Sequence, residues 1–197
     1  MASEEDRVDY QGMSEAQAEM ARRLIGEFNQ KAHIDMDGEA FAGILHRCGS
    51  LPPLAAYDMN KCLDLLHEGG VDPEQVEDTF SYGTLRALPH GGENAEAYIS
   101  FGCDDGACYE SAEEVEEFED ALLGLVTLNG FPGGVAGYDK KKCIEILMQQ
   151  SETSLEEAEQ GFKDWLTTFK SKVDDEELYP PVFLEMVEGY KPLEHWG

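Results

Sequence analysis

Three small groups of residues have types and spacings that chemistry could use. Asp35 and Asp37 stand one residue apart in His33-Ile34-Asp35-Met36-Asp37-Gly38, two carboxylates close enough in sequence to act as a pair. Just before the pair, residues 27–32 read as the end of an amphipathic helix. Nor do these acids make a calcium loop, because glycine falls at the fourth position rather than the sixth and the closing glutamate is missing. Cys103 and Cys108 enclose CDDGAC, wide for a zinc pair and without a second Cys or His pair at ligand spacing. His46, His67 and His90 have no Cys or acid at nucleophile-like spacing. No catalytic residue, metal or cofactor is expected from these patterns.

The Asp35-x-Asp37 pair does resemble the first motif of the haloacid-dehalogenase-like phosphatases, and the resemblance implies phosphatase chemistry on those two residues. No downstream Thr/Ser, Lys and acidic-pair series completes it. Asp104-Asp105, beside a turn, is the only candidate for that motif's acidic pair. The phosphatase stays a lesser alternative.

Charge is the larger signal. The chain of 197 residues carries 42 Asp and Glu against 14 Lys and Arg, a net charge of −28. No Lys or Arg lies between Arg86 and Lys140. Direct binding to nucleic acid needs the opposite sign, and an anionic membrane surface repels such a chain. The electrostatic partner is a basic surface of another protein. The acids Asp104, Asp105, Glu110, Glu113, Glu114, Glu116, Glu117 and Glu119 form the candidate binding face. Duplex DNA carries one charge per about 1.7 Å, so −28 matches about 14 base pairs. A DNA-mimic inhibitor of a host nucleic-acid-binding protein is therefore feasible. The alternative is a soluble accessory protein whose acidity serves only solubility.

Internal repetition dictates the elements that must position these residues. Residues 43–66 align without a gap on 124–147, with eight of 24 pairs identical. Among them are Tyr57/Tyr138, Asp58/Asp139, Lys61/Lys142 and Cys62/Cys143. In each copy a short apolar stretch ends in a Gly turn, a brief strand follows (54–57, 135–138), and Asp58 or Asp139 caps a helix. Cys62 and Cys143 fall on the apolar helix face, where cysteine is a small core residue. A second helix starts at Asp72-Pro73 or at Ser154, the latter with Phe162, Trp165 and Leu166 in one stripe. Strands close the copies at 97–101 and 182–186. Ahead of both, Ser14-x-x-Gln17 caps a helix predicted over 14–32. Between them, Ser111-x-x-Glu114 is predicted to cap a helix that turns Val115, Phe118, Ala121 and Leu122 inward.

The expected fold is α+β: two tandem repeated modules of short strands with two helices each, preceded by an amphipathic helix. The division reads 1–13 N-terminus, 14–38 leading helix and turn, 39–101 first module, 102–119 acidic linker helix, 120–186 second module, 187–197 tail. No apolar run reaches a membrane span, and the acidic start MASEEDRVDY is unlike a signal peptide. Five cysteines without paired spacing fit a reducing cytoplasm. The order Arg47-Cys48-Gly49, Tyr57-Asp58-x-x-Lys61-Cys62, Glu74-x-x-Glu77-x-x-Phe80 and Gly92-Glu93-Asn94 resembles a family of small uncharacterised bacteriophage and bacterial proteins with no established activity. The resemblance covers about residues 39–101 and implies a phage-like origin. The second copy keeps Tyr138-Asp139-x-x-Lys142-Cys143 but has Leu128-Asn129 and Asp175-Glu176-Glu177 where the other motifs stood, which argues against two equivalent sites.

Overall fold

The apolar lead-in of each repeat is a strand, and each pairs first with its own chain neighbour. A computed structural model describes residues 10, 12–28, 38–49, 51–85, 95–102, 115–129, 131–169 and 180–193, with the backbone alone at 131–133. After helix α1 (Glu15–Phe28), the first half runs β1 (Phe41–Arg47), β2 (Leu54–Asp58), α2 (Met59–Glu68), α3 (Val76–Gly83) and β3 (Ala97–Phe101). The second half runs β4 (Leu122–Leu128), β5 (Phe131–Asp139), α4 (Lys140–Ser151), α5 (Leu155–Thr168) and β6 (Val182–Met186). Within each half the first two strands are antiparallel, and the last returns parallel to the second after two helices.

This arrangement corrects the expectation of two tandem modules. A three-stranded half leaves two edges of unpaired backbone groups, which a buried sheet cannot tolerate. Each half resolves this on the other: β3 pairs antiparallel with β4, and β6 pairs antiparallel with β1. The result is one closed six-stranded mixed barrel in the order β1-β2-β3-β4-β5-β6. Its interior is filled by Leu45, Leu54, Ile99, Phe101, Val126 and Leu184 together with alanines and valines.

Outward-facing residues form two further cores. Phe41, Tyr57 and Tyr98 pack under α1, α2 and α3. Tyr138 and Phe183 pack under α4, α5 and a 3-10 helix, Glu116–Ala121. Strands covered on both faces lose the alternation that marks a half-exposed sheet; every residue of β2 is buried. The glycine shared at 43 and 124 has a specific cause. Both sit at a register shift with φ of 155° and 152°. A Cβ there would run into the carbonyl oxygen of Glu185 or Ser100 on the strand from the other half.

The predicted capping box is present: Ser14 N donates to Gln17 Oε1 at 2.8 Å and Gln17 N donates to Ser14 Oγ at 3.3 Å. The predicted linker helix needs correction. Where it is described it is a 3-10 helix, Phe118 has non-helical φ and ψ of −115° and 16°, and Leu122 already pairs with Tyr138 as a strand residue. Among the described residues no helix is long and apolar enough to cross a membrane.

Candidate functional site

The charged residues that converge do so on the seam between β1 and β6. Glu185 lies opposite Ile44 and His46 opposite Phe183, so both side chains leave the barrel on the same outer face. Lys140, the first residue of α4, and Arg23 of α1 reach them. Glu185 Oε2 accepts from Lys140 Nζ at 2.8 Å and lies 3.0 Å from His46 Nε2, while Oε1 accepts from Arg23 Nη2. The hydrogen bond from His46 and those from Lys140 and Arg23 outweigh burial and hold the Glu185 carboxyl well below the usual carboxylate range. Burial is the main cause that lowers His46, and the cations Lys140 and Arg23 oppose the raising effect of Glu185. Its Nε2 stands between the Glu185 carboxylate at 3.0 Å and Lys140 Nζ at 3.3 Å. A carboxylate this strongly held is a poor general base. The geometry describes an ion-pair network that ties four elements from both halves together.

Sequence reasoning leaves His46 without an acid partner; the structure supplies Glu185, 139 residues away. Arg23, Lys140 and Glu185 were missed as well. One signal existed. In the repeat alignment His46 faces Thr127 and Lys140 faces Met59, two of the places where the copies differ in chemistry rather than in size.

The repeated polar residues are placed as structure. Asp58 and Asp139 cap α2 and α4, accepting from Lys61 N at 3.1 Å and from Lys141 N and Lys142 N at 2.9 and 3.1 Å. Asp58 is fully buried and does more: its Oδ2 accepts from Leu193 N at 2.9 Å and from Tyr190 Oη at 3.3 Å. Burial raises its pKa, and those hydrogen bonds work against the rise. Lys61 Nζ sits 5.2 Å over the Tyr190 ring, whereas Lys142 is exposed. Tyr57 and Tyr138 are core rings, and Tyr138 Oη accepts from Val115 N at 2.9 Å. Cys62 and Cys143 are buried. Burial pushes the Cys143 thiol up to about 12, so it is no nucleophile at neutral pH.

Of the predicted acidic face, Glu116, Glu117 and Glu119 are exposed on the 3-10 helix, pinned by fully buried Phe118 and Ala121. Asp104, Asp105, Glu110, Glu113 and Glu114 lie outside the described residues, as do Asp35, Asp37, Cys103 and Cys108. Among the described residues no three His, Cys, Asp or Glu side chains converge as a metal-ligand set. Two grooves of about 590 and 740 Å³ adjoin the seam, with Lys140 lining both. No protein-family model, curated protein or solved structure matches this chain.

Proposed function

We propose that this chain is a non-enzymatic acidic interaction protein of phage type. In this reading it works in the cytoplasm and occupies a basic, nucleic-acid-binding surface of another protein. The observation that carries the reading is the exposure of Glu116, Glu117 and Glu119 on a turn whose Phe118 and Ala121 are fully buried. Carboxylates on an anchored element lose little freedom on binding, and their field steers a cationic partner. Asp120 on the same turn is exposed too. The seam cluster supports a non-catalytic role, since its carboxylate is engaged by three donors.

A second reading, acidity for solubility alone, is favoured by exposed acids on the opposite layer, among them Glu15, Glu19, Glu74, Glu77 and Asp78. The two separate in one experiment. The chain is used as bait in a bacterial lysate, and the recovered partner is titrated with the parent, with E116Q/E117Q/E119Q and with E74Q/E77Q/D78N. The interaction reading expects the first triple variant to weaken binding, duplex DNA to compete, and affinity to fall between about 50 and about 500 mM salt. Equal affinity for all three proteins, insensitive to salt, would sink it.

A further inference from the structure

We infer that the two grooves beside the seam form one cleft that takes an amphipathic basic helix of the partner protein. This rests on the interaction reading above and supplies the apolar anchor that carboxylates alone lack. The grooves share Lys140, Ile144 and Glu159 and together follow α5 from Leu155 to Thr167. That run of α5 rises about 18 Å, the length of about twelve helical residues.

The floor is apolar, with Ile144 and Met148 of α4 and Leu166 of α5. Each end is marked by an exposed leucine: Leu155 is 53% and Leu51 46% exposed. Among the described residues only Tyr82 is another large apolar side chain this exposed. Two such residues at the mouths of one cleft are the mark of a recognition surface rather than scattered surface apolarity.

Charge decides the occupant. Lys140 is engaged by Glu185, and Arg47 donates its guanidinium to the Pro52 carbonyl. At the Leu155 end the rim then presents exposed Glu145, Glu159 and Glu188, against Lys141. The Leu51 end is mixed, with exposed Glu27 against exposed Lys163. An apolar floor under a rim that is acidic at the Leu155 end fits a helix with leucine-type residues at i, i+3 or i+4, and i+7, carrying Lys or Arg toward that end. Its most basic turn lies at the Leu155 end. The cleft also shares its layer with the 3-10 helix of Glu116–Ala121, which packs against α4.

The test uses the full chain with methyl-labelled Ile and Leu, at about 150 mM salt. The probe is a 14-residue Leu/Lys peptide patterned as an amphipathic helix, and the control has the same composition with the pattern broken. Expected are shifts at the methyls of Leu51, Ile144, Leu155 and Leu166, and at least tenfold weaker binding for L155E and for E159K, both at exposed positions. The control should bind at least tenfold more weakly. Binding that E116Q/E117Q/E119Q weakens while L155E and E159K do not would overturn the cleft but leave the acidic interaction reading standing. Equal binding of the two peptides would overturn the cleft as a helix site. No binding of either peptide would overturn both.

Discussion

The outer corners of the two barrel seams occupy equivalent places and hold opposite chemistry. At the β1–β6 seam stand Glu185, His46 and Lys140. At the β3–β4 seam the equivalent positions hold Ser100, Thr127 and Met59, and Ser100 Oγ contacts Met59 Sδ at 3.4 Å. The register shift at the bulge glycine, Gly43 or Gly124, recurs at both. The first half's leading helix α1 adds Arg23 to its seam. The asymmetry teaches that the same strand pairing recurs at both seams while the side chains there diverge. The capping aspartates diverge similarly: Asp139 caps a helix, and Asp58 caps a helix and also fastens the tail at Tyr190 and Leu193.

The equivalence breaks most visibly if the glycines do not behave alike. Gly43→Ala and Gly124→Ala should each cost on the order of 4–5 kcal/mol in denaturant melts, because each Cβ meets a backbone carbonyl of the other half. A neutral result at one site would show that its seam can open. Next come the aromatic plugs. Phe80 and Phe162 are 1% and 2% exposed, so truncation of either to Ala should cost about 3–4 kcal/mol.

A third measurement separates the halves. Asp58→Ala should cost about 2–3 kcal/mol, from a lost cap plus the acceptor that two half-buried donors, Leu193 N and Tyr190 Oη, lose. Asp139→Ala should cost about 1 kcal/mol, from the cap alone. Equal costs would mean that the tail contributes nothing to stability.

The seam cluster gives a modest effect, and one with a pH signature. The folded pKa of Glu185 is lowered from 4.5, so its contribution is present above that value and is lost as pH falls below it. The folded pKa of His46 is lowered from 6.5, so stability also declines as pH falls through that value. Glu185→Gln should cost about 1–2 kcal/mol at neutral pH and flatten the acid limb of the stability curve. A parent curve that is flat from pH 7 to pH 4 would contradict the network as drawn.

How much of this was legible depends on whether the cause was local. The closing strands at 97–101 and 182–186 match the expected bounds. The caps at Ser14, Asp58, Asp139 and Ser154 are made by residues within three positions of their partners. The linker was misread because Val115, Phe118, Ala121 and Leu122 keep helical spacing although strand pairing claims Leu122. The seam site was invisible for a different reason. Arg23 and Glu185 are 162 residues apart, and nothing near either names the other.

The sequence by itself determined the repeated brief strand, the capped helix after it and the closing strand, because apolar spacing, turn glycines and capping residues act over a few positions. It also determined the charge of −28, a property of composition. Only the tertiary structure decided that the copies merge into one barrel, since an edge strand's backbone accepts any partner and its sequence does not say which. The same closure decided that Glu185, His46, Lys140 and Arg23 meet, because β1 and β6 become neighbours only when the last strand returns to the first.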